Sequence, residues 1–413
     1  MNAKHAGLAI IVAAAFVSSA NAGNPPVADP GKYGFSEAGF AKLRESFNKS
    51  IAEGEIAGMV GLVARDGHVV LLEALGMKDR ENGEPMKADS IFWIASLTKI
   101  VTSAAAAMLI EEGKLGLDDP VSKYLPTFRD LKVLEKDGEG WKEVPPRRPM
   151  TIRHLCTHTA GLTYGWTKDR VDQLLHEKEV LKDNKTVGEM VDKLSRIPLK
   201  YHPGEVWEYS HATDVLGRVV EIAGGKTLDE FFRERFFKPL GMKDTGFNAT
   251  DDNITRFAAG YKLENGKAVR SWGGEKRSRT EKTTYFSGGG GLYSTAPDYY
   301  AFMQMLLNGG EYNGVRILKK ETVEMMTTNQ LPKGSTVSPN FPWVGNRGFG
   351  LGLTIYDAPD GKGVIHSWSG ATGTLAWINI PKKMIGVFMI HIGDGKFRER
   401  FEKLAQEAFV ERP

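Results

Sequence analysis

In the stretch FWIASLTKIVTSAAAAML, residues 92–109, an apolar run from Phe92 to Ala95 stops at Ser96. Lys99 follows three residues later, at the head of an alanine-rich segment. Residues three apart share a helix face, so Lys99 can reach Ser96. A serine where a helix starts also meets unpaired N–H groups and the positive end of the helix dipole, both of which favour a developing anion. The pair therefore reads either as a nucleophile with a proton acceptor one turn on, or as an N-cap with a polar neighbour. Ser-x-x-Lys is a weak pattern. Ser46 and Lys49 repeat it inside an amphipathic segment, where polar residues simply face water. A serine stays a poor nucleophile until a base removes its proton. An ammonium cannot do so, and the chemistry calls for a further titratable group from elsewhere in the chain.

The elements that would hold such a pair belong to a chain of 413 residues, 41% hydrophobic and 25% charged. That is ordinary soluble globular composition, with room for one large domain or two smaller ones. The net charge is +3 and the charges are interspersed, which argues against a nucleic-acid partner; the run PPRRP at 145–149 reads as a solvated loop. Cys156 is the single cysteine, so an intrachain disulfide is excluded and the hydrophobic core must carry stability. It is expected to be a buried, inert thiol, and His154 and His158 beside it structural loop residues. No His/Asp/Glu grouping has metal-ligand spacing, and SGGGG at 287–291 lacks the Lys-Ser/Thr of a phosphate loop. No metal and no cofactor are expected, and nothing specifies an oligomeric state.

Residues 1–22 have the form of a secretory signal: Lys4, an apolar core from Leu8 to Val17, and the small residues Ala20-Asn21-Ala22. Cleavage after Ala22 and export, periplasmic or secreted, are expected, with no stable membrane anchor, since the apolar run is too short to span a bilayer. Residues 23–35, rich in Pro and Gly, predict a mobile leader. Ser36 predicts the start of a helix with Phe40, Leu43, Phe47 and Ile51 on one face. Asp66-Gly67 between two apolar runs predicts a hairpin. GVIHSW, TLAWINI and MIGVFMI predict three C-terminal strands, and 396–411 a final helix. The simplest assembly is an α/β (α+β) fold. Its antiparallel sheet is built from both chain ends (36–90 and 281–413) and covered by terminal helices. A mainly helical domain (91–280) is inserted, with the active site between the two.

Five segments recur in the order of a known family. ASLTKIVTSAAAAMLIEEGKLGLDDPVSKYLP resembles the serine-containing segment of the class C β-lactamases and of the family VIII carboxylesterases, members of one fold. LCTHTAGL (155–162), HPGEVWEYSHATDVLGRVVE (202–221), SGGGGLYSTAPDYYAFMQMLLNGG (287–310) and HSWSGATGT (366–374) resemble their later motifs. The resemblance runs from about residue 35 to the end and implies the β-lactamase/transpeptidase-like fold.

The same resemblance implies roles. Ser96 would attack an acyl carbonyl, and Tyr209 would share a proton network with Lys99. The backbone N–H groups of Ser96 and Ala371 would hold the oxyanion. Trp368, Ser369 and Gly370 would edge the substrate, with His211 and Tyr164 as further binding residues. His211 is open to a catalytic or a merely space-filling reading. Two departures matter. Trp368 stands where β-lactamases carry a lysine suited to a carboxylate, and His211 stands where they carry an orienting asparagine. A tryptophan at 368 is the carboxylesterase pattern. Tyr164, Trp166 and Trp207 read either as core or as pocket. The expected function is an exported serine hydrolase acting on small-molecule esters or amides. Ester cleavage through an acyl-enzyme on Ser96 comes first. A β-lactamase, D-amino-acid peptidase or acyltransferase is the alternative, and a non-catalytic binding module comes behind both. Residues 163–200 would form the lid that selects the substrate.

Overall fold

The computed structural model describes residues 24–272 and 282–410; the expected signal segment lies outside them. Ser36 accepts a hydrogen bond from the Gly39 N–H and opens α1 (Glu37–Ala52), whose Phe40, Leu43 and Phe47 are buried as their spacing predicts. β1 (Gly58–Arg65) and β2 (His68–Asp79) follow. Asp66 and Gly67 between them both take positive φ, as a tight hairpin turn requires. β3 (Glu84–Pro85) ends this meander.

The chain then leaves the sheet for α2 (Thr98–Glu111), α3 (Ala212–Gly224) and α4 (Ala296–Leu307). It returns through β4 (Gly348–Phe349), β5 (Thr354–Asp357), β6 (Val364–Ser369), β7 (Leu375–Asn379) and β8 (Met384–Met389), and closes with α5 (Gly395–Glu407). The 8-stranded sheet has the order β4-β5-β6-β7-β8-β1-β2-β3, and all its pairs are antiparallel. Its seam is β1 against β8, registered from Val60 opposite Met389 to Arg65 opposite Met384. The two ends of the chain thus meet in mid-sheet.

Apolar packing fixes both faces. On one, Phe388 stacks on Phe401 of α5 with ring centroids 4.8 Å apart, and meets Phe47 of α1 at 5.4 Å. A Cβ on Gly61 would lie 2.6 Å from the Phe401 ring, so a glycine in β1 lets α5 close on the sheet. On the other face α4 packs against β1, β7 and β8, and the Tyr299 hydroxyl donates to the Leu97 carbonyl at 2.8 Å. That bond joins the sheet-covering helix to the turn carrying Ser96. Among the described residues no helix is long and apolar enough to cross a membrane.

Two features depart from expectation. Residues 24–35 are tied down rather than free. The Ala28 N–H donates to the Val69 carbonyl at 2.8 Å, Asp29 caps a turn over Pro30–Tyr33, and Phe35 stacks on Phe40 at 5.2 Å. The aromatic side chains in this Pro/Gly-rich run outweigh its composition. The middle of the chain also carries hairpins, Val133–Asp137 with Gly140–Val144 and Gly260–Glu264 with Lys267–Trp272, beside its helices.

Asp298, buried in the first turn of α4, accepts from the Asp244 N–H at 2.8 Å and from the Thr245 hydroxyl at 2.9 Å. Burial nonetheless pushes its carboxyl up to about 7. A carboxyl whose folded pKa is raised costs stability once it must ionise. The loss therefore accumulates as pH rises from about 4 to 7 and persists above. Asp298→Asn keeps the acceptor oxygen and removes the charge. Its melting temperature should exceed that of the wild type at pH 8 by more than at pH 4.5. Equal differences at the two pH values would contradict this.

Candidate active site

Ser96 lies in a 3-10 turn, Ala95–Leu97, that runs directly into α2. Ala95 before it takes φ 45°, a conformation costly for a residue with a Cβ. Neighbours hold it there. The Thr98 hydroxyl donates to the Ala95 carbonyl at 2.7 Å, the Ile94 N–H donates to Leu292 at 3.0 Å, and the Trp93 N–H donates to His391 Nε2 at 2.8 Å. Ser96 is half-buried, whereas Lys99 has only 1% of its surface exposed. Lys99 Nζ donates to Ser96 Oγ at 3.3 Å and to the Gly289 carbonyl. It also lies 4.7 Å from the centre of the Tyr209 ring and 5.4 Å from that of Tyr164. The other Ser-x-x-Lys copy is unlike it: Lys49 is exposed on α1, 3.9 Å from Glu53.

Tyr209 reaches this point because the segment before it is zipped to the LCTHTAGL loop. The Lys200, Gly204 and Glu208 N–H groups donate to the Gly161, Thr159 and His158 carbonyls at 2.8, 2.7 and 2.9 Å. Lys200 bridges Asp169 and Glu208 beneath, which ties residues 163–200 to the same segment. Tyr164 packs against Tyr209 with ring centroids 5.0 Å apart. Burial first, then Tyr209 and Asp214, holds the Tyr164 phenol well above its ordinary range, so it remains a donor. His158, tilted against Tyr209 at 4.9 Å, is kept neutral by burial and by the charge of Lys99. His154 belongs to the capping box of Ile152–Cys156, and burial pushes the Cys156 thiol up to about 12.

Asp214 was not anticipated. It is buried in the first turn of α3. Burial opposes its charge, but the His211 hydrogen bond, the field of His211 and Lys99, and Ser287 outweigh this and hold it at about 2. One oxygen accepts from His211 Nδ1 at 3.0 Å. The other accepts from the Ser287 hydroxyl at 2.6 Å and the Gly289 N–H at 3.0 Å. A single residue, Gly289, therefore links Asp214, through its N–H, to Lys99, through its carbonyl. The legible signal was an acid three residues after His211 and a glycine run after Ser287.

The Gly370–Thr374 turn after β6 is hooked onto the segment before Ser96. Thr372 Oγ1 donates to the Trp93 carbonyl at 2.9 Å and Thr374 Oγ1 to the Ile94 carbonyl at 3.1 Å. A Cβ on Gly370 would lie 2.5 Å from that Ile94 carbonyl, so only glycine permits the approach. Among the described residues neither the Ser96 nor the Ala371 N–H has an intramolecular acceptor. Trp368, 5% exposed, meets Tyr209 at 5.4 Å and Phe349 at 5.5 Å. Trp207 is core. Trp166 is 64% exposed and stacks on Tyr164 at 4.5 Å, and Trp343, 51% exposed, faces Trp368 at 6.1 Å. Ser369 and Trp368 border a cleft of about 340 Å³ that turns over the sheet edge. Among the described residues no group of three or more His, Cys, Asp or Glu could hold a metal ion.

The Beta-lactamase family model matches residues 43–409. The chain belongs to the β-lactamase family. Protein Rv1367c of Mycobacterium tuberculosis is 36% identical over 338 residues, 78% of this chain and 82% of that protein. Esterase EstB of Burkholderia gladioli is 32% identical over 374 residues, 84% and 87% of the two chains. The structure of EstCE1, described as a hydrolase with promiscuous acyltransferase activity, superposes with a TM-score of 0.75 at 27% identity, covering 89% of this chain and 98% of that one. The fold is that of the β-lactamases and transpeptidases, and the protein is a serine hydrolase of this family.

The Asp214–Gly289–Lys99 chain of contacts makes a specific demand on residue 289. A Cβ there would lie 2.7 Å from Asp214 Oδ2 and would displace the peptide that holds Lys99. Gly289→Ala should lower kcat/KM by about 10–100-fold, the scale of an ångström-sized misplacement in an active site. Parallel melting curves and steady-state kinetics test this, and unchanged kinetics would refute it.

Proposed function

We propose that the protein is an exported carboxylesterase that works through an acyl-enzyme on Ser96. The observation carrying this reading is Lys99, buried, donating to Ser96 Oγ at 3.3 Å and walled by Tyr209 and Tyr164. Ser96 attacks the ester carbonyl, and its proton passes to the Lys99–Tyr209 pair and on to the leaving alcohol. The free N–H groups of Ser96 and Ala371 stabilise the oxyanion. Water then releases the acid, with an alcohol as competing acceptor. The acyltransferase activity named for EstCE1 supports that competition. His211 and Tyr164 are read as supports of the pair, and Trp368, Ser369 and Gly370 as the substrate's edge. The sheet built from 36–90 and 281–413 and the region 91–280 are taken as the two parts that the site joins.

Ser96→Ala should lose labelling by a fluorophosphonate probe, as read by mass spectrometry, while Ser46→Ala should keep both labelling and turnover. A probe adduct on Ser96→Ala would rule out this nucleophile.

The ester reading rests on Trp368, supported by the name of EstB. An indole offers an apolar face and one N–H where a lysine would offer charge to a β-lactam carboxylate. kcat/KM for p-nitrophenyl butyrate should exceed that for nitrocefin at one pH by at least about 100-fold, a gap of roughly 3 kcal/mol. If nitrocefin is the better substrate, the β-lactamase alternative takes its place.

Export rests on residues 1–22. N-terminal sequencing of protein secreted by its own host should begin at or close to Gly23, and active cytoplasmic protein retaining Met1 would overturn it.

A further inference from the structure

The cleft bordered by Trp368 and Ser369 carries charge that the reaction on Ser96 does not use. β5 covers β6 only as far as Thr354, opposite Ser367, so Trp368 to Ala371 runs along an open strand edge. Gly370 on that edge abuts Ile94 and Ala95, next to Ser96. Over the edge, the cleft of about 340 Å³ is walled by Trp343, Leu375 and Tyr356, and by Arg347, Arg398 and Lys403. Among the described residues the half-buried guanidinium of Arg398, on α5, makes no hydrogen bond or ion pair, and neither does that of Arg347, which lies 4.5 Å over the Tyr356 ring. Two carboxylates share the lining. Glu402 accepts the Tyr356 hydroxyl at 2.7 Å, and burial raises its pKa. Glu399 lies on α5 beside Arg398, whose charge it and Asp394 favour through space, and Lys403 is paired with Glu407 at 3.8 Å. Cations outnumber carboxylates, and the half-buried guanidinium is unpaired. A buried charge without a partner is costly, and burial already lowers the Arg398 pKa.

Resting on the ester reading above, we propose that this cleft is a carboxylate subsite. The preferred substrates are then esters with a second, anionic carboxylate at the far end of the acyl or the alcohol portion, held by Arg398 with Arg347. Trp343 and Trp368 take the apolar link between the ester and the anion. The charge absent at position 368 is thus supplied from α5, farther from the nucleophile, which suits a longer substrate than a lactam. A planar guanidinium matches a carboxylate in geometry as well as charge.

Two pairs of matched esters test this. Mono-p-nitrophenyl glutarate against p-nitrophenyl valerate places the carboxylate on the acyl side. The acetate ester of 4-hydroxybutyrate against butyl acetate places it on the alcohol side. At low salt the anionic member of one pair should have the higher kcat/KM, by about tenfold or more and mainly through KM. The pair showing it identifies the side. Arg398→Gln should reduce that ratio about tenfold, Arg398→Lys should restore part of it, and Arg398→Glu should invert it. Arg347→Gln serves as a second variant should Arg398→Gln fold poorly, and it should also lower the ratio. Salt at 0.5 M should shrink the wild-type preference. Turnover of the neutral esters with no preference in either pair, or a preference indifferent to Arg398 and Arg347, would overturn the subsite alone. No turnover of any of the four would overturn the ester reading with it.

Discussion

The burial of one lysine next to one serine sets the terms for the rest of this molecule. Lys99 is carried on α2 with almost no surface in water, and among the described residues its Nζ finds only Ser96 Oγ, the Gly289 carbonyl and two phenol rings. An amine so placed needs fixed dipoles and a counter-charge whenever it holds a proton, because solvent cannot supply them. Asp214 answers that need from α3. It does not touch Lys99 but holds Gly289 by its N–H, and the Gly289 carbonyl meets Lys99. The glycine run follows from the same requirement. A side chain at 289 would enter the Asp214 carboxylate, and one at 288 would come within 2.7 Å of the Thr213 carbonyl.

The sheet answers a second demand, that a strand edge stand beside the nucleophile. β6 is brought there by β7 and β8, which pair with β1 from the opposite end of the chain. The last step is made by two threonines. Thr372 and Thr374 fasten the turn after β6 to the carbonyls of Trp93 and Ile94, the residues that lead into Ser96. Site geometry and global topology are therefore coupled: the β1–β8 seam brings the turn carrying Ala371 to the segment that leads into Ser96.

Much of this was legible in residues. Period-3.6 apolar spacing gave α1, with Ser36 as its cap, and Asp66-Gly67 gave the first hairpin. The order of the motifs gave the cluster of Ser96, Lys99, Tyr209 and Trp368. What escaped was what depends on tertiary neighbours. β4 and β5 are short, and they are strands only because β6 offers an edge to β5 and β5 in turn offers one to β4. Asp214 looks in sequence like an ordinary first-turn helix acid, and only the arrival of Ser287 and Gly289 makes it a buried bridge. The aromatics were ambiguous for the same reason. Trp207 became core, while Trp166 stands exposed at the rim, as does Trp343, which the sequence did not single out. No local pattern distinguishes those outcomes.

The central claim is that Lys99 and Tyr209 act as one proton-handling unit on Ser96. The most direct test is a double-mutant cycle in kcat for a p-nitrophenyl ester, using Lys99→Ala, Tyr209→Phe and the double variant. Groups acting as a unit are strongly non-additive. Each single variant should lose nearly as much as the double, and Lys99→Arg should lose as much as Lys99→Ala, because a guanidinium stays protonated. If the two single losses instead multiply to give the double, Lys99 and Tyr209 work independently and the account of the site is wrong.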